Sequence, residues 1–138
     1  MDGRVFLALA RQLVRQTGEE WWRNTTGRAY YGLMLEGRDA LARWGFTPPR
    51  GDNVHAFVRL RFTYAADLDL QQVGKTLDRL TGWRNRADYN LTAPEFSNDA
   101  RAQDAITGAT AALALLDAVD ADAVRRAAVI ADLRARWP

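Results

Sequence analysis

Apolar side chains recur every three or four residues along most of the chain, a spacing that predicts amphipathic α-helices. The clearest row lies between about residues 67 and 89, where the intervals between its members are 3-4-3-4-3. Those members are Leu70, Val73, Leu77, Leu80, Arg84 and Ala87. No segment alternates with the two-residue period of a half-buried strand. The pattern therefore predicts an all-α protein.

Capping residues and breaks divide this pattern into five or six predicted helices. The first helix begins after Asp2 and continues to about residue 23, where the segment 24–27 (Asn-Thr-Thr-Gly) is typical of a break with a threonine cap. The second helix runs to about Trp44 and ends at Gly45. Later helices are expected at about residues 53–62, 67–89 and 98–116, and a last helix is expected to start at Asp120 or Asp122 and to run to Trp137. The short loops between them favour an up-and-down antiparallel bundle in one domain spanning residues 1–138.

Two of the predicted helices carry specific packing expectations. Gly37 lies on the apolar row of the second helix, where its missing side chain would let another helix approach closely. The last helix is expected to bury Val124, Ala127, Ile130 and Ala131.

Composition excludes several classes of site. The chain has no cysteine and a single histidine, His55. These counts exclude disulfides, cysteine-ligated zinc, iron–sulfur clusters, cysteine nucleophiles and any metal site that needs several histidines of one chain. We therefore expect no metal and no cofactor. No apolar run approaches the ~18 residues of a membrane helix and no signal peptide is evident, so the expectation is a cytoplasmic protein without membrane association.

One charged residue stands out in the apolar row of the 67–89 helix. Arg84 occupies a position where an apolar side chain is expected, and a buried guanidinium must be paired or must face a solvated cleft. Asp88 lies four residues later on the same helix face and offers an intrahelical partner. Two interpretations stay open, a salt bridge near the end of the helix and a cleft that binds an anion.

Two further groups carry candidate chemistry, each with a structural alternative. Arg28, Tyr30 and Tyr31 open the second predicted helix, where the tyrosines either pack in the core or line a polar cleft. His55 lies near the start of the short third helix, where a lone histidine serves either packing or acid–base chemistry. The net charge of +2 is too small to imply nucleic-acid binding by itself.

Three short motifs resemble the HEPN superfamily (higher eukaryote and prokaryote nucleotide-binding domains). They are Gly-Arg-Ala-Tyr-Tyr at 27–31, His-Ala-Phe-Val at 55–58 and Leu-Thr-Gly-Trp-Arg-Asn-Arg-Ala-Asp-Tyr at 80–89. Their order and spacing are similar to those of small prokaryotic members, and the resemblance spans about residues 25–116. It implies a helical bundle that forms a homodimer.

Members of this superfamily with ribonuclease activity carry a motif in which an arginine is followed, after four to six residues, by a histidine. The motifs of two protomers meet in a cleft of the dimer, where RNA is cleaved without a metal ion. Arg84-Asn85 matches the start of that motif, but no histidine follows at the required distance. The resemblance implies catalytic candidates, to which His55 is added as the possible substitute, and RNA- or phosphate-binding candidates. The first are Arg84, Asn85, Asp88, Tyr89 and His55, and the second are Arg28, Arg86, Tyr30 and Tyr31.

Three functions remain open at this point. The first is an RNase-like effector of a toxin–antitoxin or antiviral defence system, restrained by a partner such as a minimal nucleotidyltransferase. The second is an inactive HEPN module that binds nucleotide, RNA or a partner protein. The third is a structural helical dimer with no ligand. In some paired members the tyrosine of the motif is a modification target, which makes Tyr89 a candidate site by resemblance.

Overall fold

The computed structural model describes residues 2–138, and these residues form six α-helices and no strand. The helices are α1 Gly3–Leu13, α2 Glu19–Arg43, α3 Asn53–Thr63, α4 Leu68–Tyr89, α5 Ala100–Ala121 and α6 Ala123–Arg136. A short 3-10 turn, Pro94–Phe96, lies in the predicted loop between α4 and α5. The all-α bundle expected from the periodicity is confirmed.

Several helix ends form where the sequence predicts them. The Asp2 side chain caps α1, and the Asp67 side chain accepts hydrogen bonds from the Asp69 and Leu70 amides at the start of α4. Asp122, the second of the two predicted candidates, caps α6 by accepting from the Arg125 amide. Gly45 follows α2 with a φ of 94°, the left-handed conformation that ends many helices.

The predicted break at residues 24–27 is wrong, because α2 continues through it. The hydroxyls of Thr25 and Thr26 donate to the carbonyls of Trp21 and Trp22 one turn earlier, at 2.8 and 2.9 Å, instead of capping a new helix. The chain instead turns before α2 at Gly18, which has a φ of 142°. The overlooked signal is a glycine followed by two glutamates, which favour the positive end of a helix dipole.

The long helix α2 packs against α1, α3, α4 and α5 and lies at the centre of the bundle. Gly37 touches the side chains of Val58 and Phe62 on α3, and a Cβ there would lie 2.8 Å from the Phe62 ring. The close approach predicted at this glycine is therefore confirmed. One buried apolar cluster draws side chains from all six helices, so α2, α3 and α4 hold fixed positions around the site described below.

The predicted buried face of the last helix is largely wrong. Val124 is 83% exposed, and Ala127 and Ala131 are exposed as well, whereas α6 buries Val129 and Leu133. Among the predicted positions, Ile130 alone packs partly against the core. Small alanines on several faces of α6 left the apolar pattern ambiguous. None of the helices described in residues 2–138 has both the length and the apolar character needed to cross a membrane.

Candidate functional site

Three helices bring an arginine, two tyrosines and the single histidine together. Tyr30 and Tyr31 come from α2, His55 from the first turn of α3, and Arg84 from the last third of α4. The two tyrosine rings meet edge to face with centroids 5.3 Å apart, and the His55 ring stacks on Tyr30 at 5.7 Å. We call these four residues the Arg84 cluster. The fold therefore brings His55 into the neighbourhood of Arg84.

The Arg84 side chain is held by aromatic and neutral groups. Its guanidinium carbon lies 5.4 and 5.5 Å from the centroids of the Tyr30 and Tyr31 rings. Nη1 donates to the Tyr31 hydroxyl at 2.9 Å, and Nη2 donates to the Asn85 side-chain oxygen at 3.1 Å. The side chain is only 16% exposed.

The positive charge of Arg84 lacks a close carboxylate partner. The nearest one, Asp88 Oδ2, lies 3.9 Å from Nε, too far for a hydrogen bond. Nε itself is buried and has no hydrogen-bond partner among the described residues. The intrahelical salt bridge with Asp88 is thus a long contact that leaves much of the charge uncompensated. A phosphate oxygen is the kind of ligand that a guanidinium in this state recognises.

His55 is tied to the cluster through Tyr30. Its Nδ1 lies 2.5 Å from the Tyr30 hydroxyl, and its ring meets the edge of Tyr31 at 5.9 Å. Burial, and then the positive charge of Arg84, lower the pKa of His55 from its ordinary value. Burial also raises the pKa of Tyr30, so that its hydroxyl stays protonated near neutral pH. The cluster therefore contains a neutral imidazole beside a cation, a combination suited to acid–base work on a phosphate ester.

Two residues that sequence reasoning missed also border the cluster. Arg59 follows His55 by one turn of α3, and its positive charge acts to lower the pKa of Tyr30. Its closest carboxylate contact, Asp78 at 3.6 Å, is long. Thr81 on α4 also lies beside Tyr30, but its hydroxyl donates to the Leu77 carbonyl at 2.7 Å. The four-residue interval between His55 and Arg59 was the available signal, since it places both on one helix face.

Other predicted site residues lie near the cluster or away from it. Asn85 contacts Arg84 directly, as described above. Arg28 instead contacts Asn24 and lies 5.7 Å over the ring of Phe6 on α1. Tyr89 is 77% exposed at the end of α4.

Arg86 is committed to a different partner. Its guanidinium forms a two-point ion pair with Glu95 in the 3-10 turn, which lowers the pKa of Glu95 to about 2. The structure therefore does not bring Arg86, Arg28 or Tyr89 into contact with Arg84.

A buried arginine that the sequence did not single out fixes the end of α4. The Nη1 of Arg23 donates to the carbonyls of Arg86, Ala87 and Asn90 at 2.9–3.1 Å. Its guanidinium also lies 4.6 Å over the buried ring of Phe96. The Ala87 carbonyl has no backbone donor at this helix end, whereas the Arg86 and Asn90 carbonyls also accept from the Asn90 and Ala93 amides. Arg23 thus joins α2 to the helix end that carries Arg84.

No family model matches this chain, and neither a curated protein nor a solved structure matches it. The similarity to HEPN proteins rests on the short motifs given above.

Proposed function

We propose that this protein binds RNA at the Arg84 cluster and cleaves it without a metal ion. The observation that carries the proposal is the Arg84 guanidinium, held against two tyrosine rings with no close carboxylate and with His55 bonded to one of those tyrosines. In metal-free cleavage, a cation stabilises the charge that develops on the phosphorus centre, and a base and an acid move protons. Arg84 fits the first requirement and the neutral His55 fits the second.

The proposed reaction breaks one bond and forms one bond at phosphorus. His55 Nε2 takes the proton of the ribose 2′-hydroxyl, whose oxygen attacks the adjacent phosphorus. Arg84 stabilises the phosphorane charge, and the P–O5′ bond breaks to leave a 2′,3′-cyclic phosphate. The departing 5′ oxygen takes a proton from Tyr31, whose oxygen accepts a hydrogen bond from Arg84 and whose own hydrogen remains available. Solvent then returns the proton from His55 to Tyr31.

This role requires one tautomer of His55. The Nδ1 must carry the hydrogen and donate it to the Tyr30 oxygen, which leaves the Nε2 lone pair to act as the base. On the basis of the motif resemblance, the proposal includes a homodimer in which two Arg84 clusters form one cleft. On the same basis, the proposal includes a partner protein, such as a nucleotidyltransferase-type antitoxin in a defence system. The exposure of Tyr89 supports the proposed partner protein, because a partner that modifies this tyrosine needs access to its hydroxyl.

A second candidate is a module that binds nucleotide or RNA phosphate without cleaving it. The observation that favours it is the engagement of His55 Nδ1 with Tyr30, together with the absence of a histidine after Arg84 in the sequence. If Tyr30 donates to Nδ1, then Nε2 carries the hydrogen and no base faces the ligand. The cation alone would still bind a phosphate group.

Cleavage of single-stranded RNA in excess EDTA separates the two candidates. The wild type is compared with Arg84→Ala, His55→Ala and, as a matched control, Arg136→Ala, which removes an arginine whose partner Asp132 is also four residues away on its own helix. We expect a loss of about 10²–10⁴-fold in His55→Ala and about 10²–10³-fold in Arg84→Ala, with the control unchanged. Binding without cleavage, lost in Arg84→Ala, would favour the second candidate. Neither binding nor cleavage by the wild type would refute both.

A further inference from the structure

A second cluster of arginine and aromatic side chains lies on the other flank of α4, where this helix packs against α5. The guanidinium carbons of Arg79 and Arg101 lie 5.4 and 4.2 Å from the ring of Trp83. We propose that this cluster binds a base and the adjoining phosphates of the single-stranded RNA that enters the Arg84 cluster. This inference rests on the proposed function, because it assigns a second contact to the same ligand.

The two arginines of this cluster are not neutralised by ion pairs. Among the residues that the structure describes, no carboxylate lies within 4.0 Å of either Arg79 or Arg101. Their contact with Trp83 is a cation–π interaction near the surface, which is weak compared with a bond to a phosphate. Either guanidinium can therefore turn from the ring to a phosphate oxygen and leave the indole face to a base.

An open groove adjoins Trp83 between α4 and α5. It has a volume of about 450 Å³ and is lined by Arg79, Trp83, Asp104, Thr107, Gly108 and Ala111. A Cβ at Gly108 would lie 3.2 Å from Arg79 Nη2, so the glycine leaves room for that guanidinium at the groove. The Asp104 carboxylate offers an acceptor for the amino group of a base.

One exposed position of α4 near both clusters carries no side chain. Gly82 lies on α4 between Arg79 and Arg84, it is exposed, and a Cβ there would have no atom within 4 Å. A glycine in an exposed helix interior weakens the helix and has no packing role here. Because glycine has no side chain, an extended RNA strand can lie close to α4 as it passes from Arg84 to Trp83.

The chemistry of this cluster favours single-stranded nucleic acid. Proteins that bind it combine cationic groups along the backbone with aromatic rings on which bases stack. Stacking contributes about 5- to 150-fold to affinity for each base. Two arginines at one indole ring, beside a groove that also carries a hydrogen-bond acceptor, supply each of these elements.

The test is RNA binding under conditions where cleavage cannot occur. A fluorescent 2′-O-methyl RNA oligomer in EDTA is titrated with the full chain and followed by anisotropy at several salt concentrations. We expect Trp83→Leu to weaken binding about 5- to 150-fold and Trp83→Phe to retain most of it. Arg79→Gln and Arg101→Gln should each reduce the slope of log K against log salt by about 0.7.

The controls are Trp21→Leu and Arg15→Gln, which change an exposed tryptophan and an exposed arginine elsewhere on the surface. Both should bind like the wild type. If all Trp83, Arg79 and Arg101 variants bind like the wild type while Arg84→Ala does not, this inference is wrong and the proposed function stands. If the wild type itself does not bind the oligomer, both are wrong. Should Trp83→Leu fail to fold, the salt dependence of the two arginine variants decides the question.

Discussion

Replacing Arg23 with methionine tests how the end of α4 is held. The substitution keeps an unbranched side chain over the Phe96 ring but removes the donor to three carbonyls of α4 and its following loop. It also removes the ion pair between Arg23 and Glu19. The end of α4 should then separate from α2, and the global stability should fall.

The expected loss follows from these contacts. A buried acceptor that loses its donor costs about 1–3 kcal/mol, and a hydrogen bond to a charged group contributes about 1.5–3 kcal/mol. Only the bond to the Ala87 carbonyl is fully buried, so water can replace the donor at the other two. The Glu19 pair is exposed on its acidic side and adds about 0.3–0.5 kcal/mol. Because such contributions are not additive, we expect a total loss of about 2–4 kcal/mol.

The assay is reversible urea unfolding followed by far-ultraviolet circular dichroism, with thermal unfolding as a second readout. A loss of this size should lower Tm by about 6–12 °C for a domain of this length. Arg38→Met is the matched control, since Arg38 also lies on α2 but pairs only with its neighbour Asp39. It should cost less than about 0.5 kcal/mol. Equal losses in the two variants would show that Arg23 does not hold the end of α4.

Other predictions concern packing, protonation and assembly. Gly37→Ala should destabilise the fold by about 1–3 kcal/mol, because the new Cβ would lie 2.8 Å from the Phe62 ring. Gly82→Ala should stabilise the fold by about 0.5–1 kcal/mol, because alanine favours a helix more than glycine does and the new Cβ would meet no atom within 4 Å. Urea unfolding measures both changes. The pKa of His55, read from the only imidazole signals in a proton NMR spectrum of untagged protein, should lie below 6.5 and should rise in Arg84→Gln. Since the unfolded chain then binds more protons than the folded one, stability should fall as pH drops from about 7 through the folded pKa and should level off below it. His55→Gln should lack this fall in matched urea titrations, and an equal fall would contradict the lowered pKa. Sedimentation at tens of micromolar should show a dimer, and a stable monomer would remove the two-protomer cleft.

Much of the fold could be predicted from the sequence because its largest helices carry regular apolar rows. In the 67–89 row every apolar member is buried, and Arg84 is the member that remains partly exposed. The break predicted at Thr25–Gly27 was wrong because threonine and glycine occur both at helix breaks and at closely packed positions inside helices. Only the packing of α2 against its neighbours decides between these two roles. The buried face of α6 was also predicted wrongly, because its alanines give a weak apolar pattern.

The candidate site was predictable only in part. Arg84 was visible as a charge in an apolar row, but its relation to His55 depends on how α3 packs beside α2 and α4. Arg59 and Arg23 were not singled out, because their roles come from contacts between different helices. The predicted homodimer rests on the motif resemblance.

Product analysis shows whether the Arg84 cluster cleaves RNA by attack of the ribose hydroxyl. A single-stranded RNA and a DNA of the same base sequence are incubated with the wild type and Arg84→Ala in EDTA, and the products are identified by mass spectrometry. We expect fragments with 2′,3′-cyclic phosphate ends from RNA only, and we expect Arg84→Ala not to form them. Intact RNA after prolonged incubation at high protein concentration, or equal cleavage by Arg84→Ala, would contradict this proposal.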